Sequence, residues 1–203
     1  MKIYPHLRVI WLATLVSALT VFTVLPESQI AALVGTIVNL VAYGFILYHL
    51  HKLSGESPRF ARAFLFQVAS LILQVLAIAG LAMYLADSSD TPLFFASMAM
   101  MTGGIFGLVS DYNLFWGLDE RIIPCGYAYP ARRVRWCFYA PLLGAAVAAM
   151  VEYGAMAAEK ENLMLAVASV IIQLAFQAAA LVLFLQYNRA VRDREEHPLD
   201  IPQ

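Results

Sequence analysis

The 203-residue chain is 62% hydrophobic and only 13% charged, with a net charge of −1 and a mean hydropathy of +0.72. Soluble domains contain roughly 25% charged residues, so a globule of this composition would have too little polar surface for water to solvate. The composition therefore predicts an integral membrane protein surrounded by lipid, and its near-neutral charge gives no electrostatic basis for binding nucleic acid.

Six apolar stretches are long enough to cross a bilayer, which requires about 20 residues per helix. They are continuously apolar rather than alternating, which favours helices over barrel strands because a helix satisfies its own backbone hydrogen bonds. The first stretch lacks a small-residue cleavage site, so we expect it to be retained as a span rather than removed as a signal peptide. The sequence thus predicts a single all-α domain with spans at about 9–25, 30–50, 63–86, 93–117, 136–157 and 163–187 and a tail at 188–203.

Lysine and arginine are segregated along the chain. All of them except Lys160 fall in the N-terminal segment, in the loops after the second and fourth spans, or in the C-terminal tail. Because Lys and Arg are enriched on the cytoplasmic side, this distribution predicts cytoplasmic termini and six helices arranged as three hairpins. We expect a multi-pass protein of the cell membrane whose longest loop, residues 118–135, is cytoplasmic.

Signals for metals, cofactors and nucleophiles are weak. Cys125 and Cys137 flank the basic loop on the reducing side of the membrane, where disulfides are disfavoured, and two thiols are too few for a zinc site. His49 and His51 are two residues apart, so they point to different sides of a helix. No HExxH, GxSxG or phosphate-binding glycine loop is present, and we predict no cofactor.

Two acidic residues fall inside predicted spans, where an acid costs about 2.5–3.5 kcal/mol and usually faces protein or water. Asp111 lies near the cytoplasmic end of the fourth span, and Glu152 lies near the outer end of the fifth. Either could contact an ion, a proton or a substrate. The alternative is structural, with both reaching lipid headgroups or pairing with an arginine.

Neutral polar residues recur at helical spacing on three spans. Such stripes can line a polar cavity, although interhelical hydrogen bonds are their commoner role. Three stripes together favour a shared polar interior, so these residues join Asp111 and Glu152 as the predicted solute-binding set. They are Asn39 and Tyr43 in the second span, Gln67 and Gln74 in the third, and Gln173 and Gln177 in the sixth.

Small residues also recur four apart. Ala99, Gly103 and Gly107 form such a ridge on the fourth span, and Gly144 with Ala148 forms another on the fifth. Small residues at this spacing allow helix backbones to approach closely in membranes. We therefore predict that these two ridges are packing surfaces, within the chain or in a homo-oligomer.

The predicted cytoplasmic loop has a distinctive order, in which prolines and a glycine bend the path and aromatic residues alternate with arginines. Arginine recognises phosphate well, so the loop could bind a lipid headgroup, a phosphorylated ligand or a partner's acidic surface. The alternative is that these residues only satisfy the topology and the interfacial aromatic belt. The candidate contacts are Arg121, Tyr127, Tyr129, Arg132, Arg133 and Arg135.

The leading functional hypothesis is a small membrane protein that binds or transports a small solute, alone or with partner subunits. In size and topology the chain is similar to the six-helix substrate-binding subunits of vitamin importers, although it carries none of their motifs. A second hypothesis is an enzyme acting on lipid or phosphorylated substrate at the cytoplasmic face, through Asp119, Glu120 and the loop arginines. A third is a non-catalytic accessory or regulatory subunit.

Overall fold

A computed structural model describes residues 2–20, 29–87, 90–157 and 163–197. Within these ranges the chain is almost entirely helical and contains no strand, which confirms the predicted all-α class. The helices are α1 (Tyr4–Leu19), α2 (Gln29–Leu53), α3 (Pro58–Asp87), α4 (Asp90–Cys125), α5 (Trp136–Ala157) and α6 (Leu163–Glu196), with a short 3-10 helix, Arg133–Arg135, ahead of α5.

Several helix ends follow from local sequence. Pro58 occupies the first position of α3, where its missing N–H costs nothing, and the Ser57 hydroxyl accepts a hydrogen bond from the Arg59 N–H at 3.2 Å. The helix α4 ends in front of Gly126, whose φ of +64° is a left-handed conformation that glycine adopts without strain. The N–H of Tyr127 then bonds to the carbonyl of Ile122 at 3.0 Å, which completes a Schellman-type helix end.

Four helices contain stretches that are long and apolar enough to cross a membrane: Pro58–Gly80, Thr91–Cys125, Arg133–Val151 and Val167–Glu196. A shorter apolar stretch, Ile37–Leu53, lies in α2. Large apolar side chains cover the outside of these helices, as shown by Leu65, Met101 and Ile171, which are 63%, 69% and 60% exposed. Such a surface fits lipid and not water, so the chain has the character of a multi-pass membrane protein.

Two helices continue beyond the predicted spans. The helix α4 runs through Cys125, so the irregular chain before the 3-10 helix is much shorter than the predicted loop of residues 118–135. The helix α6 likewise continues to Glu196, into the segment predicted as a tail. Asp119 and Glu120, the acids that lower the hydropathy after residue 117, therefore lie on α4.

The six helices form a ring in chain order. Each helix contacts the next one along the chain, and α6 contacts α1 to close the ring. The α3–α4, α5–α6 and α1–α2 interfaces are the most extensive, whereas α4 and α5 touch least. A ring of six helices encloses a central space, which the contacts between neighbouring helices do not fill.

Small residues allow close helix packing, as we predicted for the two ridges of small residues. A Cβ atom on Gly103 would lie 3.2 Å from the Leu73 Cβ of α3, and one on Gly144 would lie only 2.6 Å from the Phe176 Cβ of α6. The buried Ser70 hydroxyl donates to the Gly103 carbonyl at 2.8 Å across the same α3–α4 contact. The packing role predicted for both ridges is confirmed at these positions.

One end of the bundle is closed by a well-packed core that includes Leu7, Leu53 and Tyr187. The first and last helices meet here, because the Glu195 carboxylate accepts a hydrogen bond from the Ile3 N–H at 2.7 Å. The Tyr187 hydroxyl donates to the Leu118 carbonyl at 2.9 Å. We call this the basic end, since it also holds the α2–α3 turn and the segment between α4 and α5, which carry many of the arginines.

Candidate functional site

A cavity of about 340 Å³ lies inside the ring, and all six helices contribute to its wall. Most of the wall is apolar, with Leu114, Phe115 and Phe184 among its side chains. A cavity of this volume is at the lower end of the range of about 300–1,000 Å³ found for ligand pockets. The polar side chains on the wall are Thr14, Ser17, Tyr43, Gln67, Asp111 and Gln177.

Asp111 is the acidic residue among the described members of this wall. It lies on α4 and lines the cavity inside the bundle. Its side chain is nevertheless exposed, so part of it is accessible from the cavity. Its neighbours on the helix are already paired: the Ser110 hydroxyl donates to the Ala63 carbonyl at 2.8 Å, and the Asn113 amide donates to the Val109 carbonyl at 2.7 Å. Asp111 itself has no hydrogen bond or ion pair to any described residue.

Three of the predicted neutral residues line the same cavity as Asp111. Tyr43 of α2 is close enough to interact with the Asp111 charge, and its hydroxyl also interacts with Gln74. Gln67 of α3 is 6% exposed and lines the wall. Gln177 of α6 also lines the wall, and its Oε1 atom is buried and has no hydrogen-bond partner within the described ranges.

The other predicted residues take different positions. Asn39 lies behind the wall, where its Oδ1 atom accepts a hydrogen bond from the Ser17 hydroxyl. Gln74 donates to the Ser70 hydroxyl at 3.4 Å, at the α3–α4 contact. Gln173 is exposed and does not line the cavity, although it lies one turn from Gln177. Glu152 belongs to α5, but its side chain falls outside the described part of the structure.

The contribution of α1 was missed from sequence. Thr14 and Ser17 place two hydroxyl groups on the wall, and the Thr14 hydroxyl donates back to the Ile10 carbonyl of its own helix at 2.8 Å. Such self-paired hydroxyls are common in membrane helices and give little sequence signal. Their spacing of three residues, which puts both on one face of α1, is the signal that could have identified them.

The acids near the segment between α4 and α5 are engaged in ion pairs. Asp119 is 9% exposed and accepts a hydrogen bond from the Arg135 Nε atom at 2.7 Å. Glu120 accepts one from the Arg59 Nε atom at 2.6 Å. Arg121 likewise pairs with Glu56, at 3.2 Å. These carboxylates, which the enzyme hypothesis requires, are held by arginines of the chain itself.

The predicted aromatic contacts of this segment are part of the core. Tyr127 and Tyr129 are 8% and 9% exposed and pack edge-on against the Tyr187 ring. The Tyr129 hydroxyl donates to the Leu183 carbonyl at 3.2 Å. Burial raises the pKa of Tyr129 to about 12, so the phenol is neutral at physiological pH. Both tyrosines therefore stabilise the segment instead of presenting a binding surface.

Two arginines of the segment face outward. Arg132 and Arg133 are exposed, and the Arg133 guanidinium lies 6.0 Å from the centre of the Tyr129 ring. Of the six residues predicted to contact a phosphate or a partner, these two are the ones whose charged groups are available at the surface.

Comparison with protein-family models, with curated proteins and with solved structures gives no significant match. The chemistry of the site therefore rests on its own residues. Within the described ranges, no group of three or more His, Cys, Asp or Glu residues is placed to hold a metal ion. Cys125 and Cys137 are both free. What the cavity offers is one unpaired carboxylate, amide and hydroxyl groups, and an apolar wall.

Proposed function

We propose that this protein is a six-span membrane protein that binds a small solute in its central cavity and transports it or presents it to partner subunits. The observation that carries the proposal is the unpaired Asp111 on the wall of a cavity built by all six helices. A charged side chain within the membrane is costly, and such residues commonly contact substrates, ions or water-filled paths.

The position of α1 and α2 in the ring supports six spans. Both helices contribute wall residues to the same cavity as the four candidate spans, so they lie beside them at the same depth. The basic end collects Arg59, Arg121 and Arg135 and joins the two terminal helices. Because positive charge is enriched on the cytoplasmic side, this end supports our proposal that both termini lie in the cytoplasm and that the protein belongs to the cell membrane.

The enzyme hypothesis is less well supported. A general acid or base must reach its substrate, and Asp119 and Glu120 are bound by Arg135 and Arg59. The exposed Arg132 and Arg133 favour a contact with a partner subunit or with anionic headgroups instead. This surface would let the cavity protein work beside other subunits, as the accessory hypothesis also requires.

The proposal is tested by filling the cavity. Ala180 is 7% exposed and lines the wall, whereas the adjacent Ala179 is exposed on the outside of the same helix. Purified wild-type protein and the Ala180→Phe and Ala179→Phe variants would be screened by thermal unfolding in detergent against a panel of small amines, alcohols, carboxylic acids and amino acids. A bound solute raises the unfolding temperature by mass action.

We expect at least one solute to stabilise the wild type and Ala179→Phe but not Ala180→Phe. Because a phenyl group could disturb folding, Ala18→Phe provides a second occlusion from α1, where Ala18 also lines the cavity. A panel without any stabilising solute, or solutes that stabilise both occluded variants as well as wild type, would refute binding in this cavity.

A further inference from the structure

We propose that the solute is a small organic cation, an amine whose ammonium group pairs with Asp111 inside the central cavity. This inference rests on the proposed function, since it names the chemical class of the ligand for the same site.

The charge of the wall is the first reason. Asp111 is an acid, and the wall has no Lys, Arg or His residue among its described members. A carboxylate inside a membrane bundle needs an opposite charge nearby when it ionises, because the ionised form is otherwise costly there. Two arginines of the basic end, Arg121 and Arg135, are already paired with Glu56 and Asp119. A cationic ligand would supply the missing charge.

The unpaired hydrogen-bonding groups are the second reason. The Gln177 Oε1 atom is a buried acceptor without a partner within the described ranges, and the Asp111 carboxylate is an acceptor as well. The hydroxyl groups of Thr14 and Ser17 already donate, to the Ile10 carbonyl and to Asn39. A ligand that donates N–H groups matches this arrangement, because an ammonium group is purely a donor.

The apolar part of the wall favours an organic body. The rings of Phe115 and Phe184 lie edge-to-face with their centres 5.6 Å apart, and both line the cavity. Aromatic rings accommodate apolar groups and attract cations through their faces.

A metal ion fits this wall poorly. Calcium requires six to eight oxygen ligands, and magnesium requires octahedral coordination. Among its described residues the wall offers the single carboxylate of Asp111, within a volume of about 340 Å³. An organic ammonium group needs only one carboxylate for charge balance, and its carbon body can occupy the remaining space.

Three probes of similar size and shape separate charge from shape: benzylammonium, benzyl alcohol and benzoate. Each is titrated against the purified full-length protein in detergent micelles at pH 7 and low salt. Asp111→Asn removes the charge but keeps the side-chain size. Glu196→Gln is the matched control, since this acid lies at the end of α6, is 57% exposed at its side chain and does not line the cavity.

We expect wild-type protein to bind benzylammonium about tenfold or more tightly than benzyl alcohol and to reject benzoate. This factor is typical of a hydrogen bond to a charged group. Asp111→Asn should lose that preference, and Glu196→Gln should keep it. If Asp111→Asn does not fold, Gln177→Leu provides the second test, with an expected loss of about threefold or more in benzylammonium affinity.

The outcomes separate this inference from the proposed function. If benzyl alcohol or benzoate binds as tightly as benzylammonium, and Ala180→Phe abolishes that binding, the cation inference is overturned while the cavity remains a solute site. If no probe and no solute of the wider panel binds in a manner that Ala180→Phe abolishes, both proposals fail. Benzylammonium binding that is equal in wild type, Asp111→Asn and Gln177→Leu also overturns the inference.

Discussion

Asp119 at the end of α4 and Arg135 ahead of α5 form an ion pair, in which the Arg135 Nε atom lies 2.7 Å from a carboxylate oxygen of Asp119. The second carboxylate oxygen accepts a hydrogen bond from the backbone N–H of Arg132 at 2.6 Å. Arg132 adopts a left-handed conformation with φ of +66°, which is uncommon for a residue other than glycine. Asp119 therefore holds the chain reversal between α4 and α5 in place.

Replacing this carboxylate tests its role. Asp119→Ala should lower the free energy of unfolding by about 2–3 kcal/mol, because two charge-assisted hydrogen bonds are lost and the Arg132 N–H is left without its acceptor. The measurement is reversible unfolding in mixed micelles with increasing denaturant. The control Glu196→Gln, at an exposed acid, should change stability by less than about 0.5 kcal/mol. Equal stability of the two variants would contradict this role of Asp119.

The α5–α6 contact depends on Gly144. A Cβ atom there would come within 2.6 Å of the Phe176 Cβ atom, so Gly144→Ala should destabilise the protein by about 1–3 kcal/mol through overpacking. Gly104 of α4 is the matched control, since a Cβ atom there would meet nothing within 4 Å. Gly104→Ala should leave stability unchanged or raise it by up to about 1 kcal/mol, because alanine favours helices. Thermal unfolding of both variants is the measurement. A Gly104→Ala variant that is less stable than Gly144→Ala would contradict this contact.

Stability should depend on pH through Glu56. Burial opposes ionisation of this side chain, but its hydrogen bond to Arg121 and its other favourable charge interactions together outweigh burial and lower the pKa of Glu56 below its usual value of 4.5. A lowered pKa means that the stabilisation is complete above the unfolded-state pKa and is lost as the pH falls through the folded-state pKa. Glu56→Gln should therefore cost about 1 kcal/mol at pH 7 and progressively less as the pH falls below 4.5. A cost that does not decrease as the pH falls would exclude this ion pair as its source.

Membrane orientation can be tested at an exposed arginine. Arg133 is exposed at the basic end, so a single cysteine in Arg133→Cys, with Cys125 and Cys137 replaced by serine and alanine, should be accessible from the cytoplasm. A membrane-impermeant maleimide should label it in inverted vesicles but not in intact cells. The control is Lys160→Cys, which the sequence predicts to lie on the outer side and to be labelled in intact cells. The opposite labelling pattern would invert the proposed topology.

Sequence alone predicted the helical class, and the polar stripes contain three of the six polar residues described on the cavity wall. It could not distinguish Gln173 from Gln177, because both lie on one stripe and the rotation of α6 is set by Phe176 packing on Gly144. Hydropathy falls at Asp119, so the helix was expected to end before it. The helix continues because ion pairs neutralise this charge locally.

The tyrosines of the basic segment illustrate a different limit. Tyr127 and Tyr129 are surrounded in sequence by prolines and arginines, which is typical of an exposed segment. They are buried because the left-handed Gly126 turns the chain back onto α6, where Tyr187 provides the packing surface. Such a long-range contact has no local signal, so composition alone left a binding surface open as one of two interpretations.

The most direct test of the central claim is the affinity of the most stabilising solute of the panel, measured by isothermal titration calorimetry for wild type, Ala179→Phe and Ala180→Phe. Binding inside the ring predicts equal affinity for wild type and Ala179→Phe and a loss of about tenfold or more for Ala180→Phe, because the phenyl group fills the space that the solute needs. Equal affinity in all three proteins would contradict the claim that the cavity is the binding site.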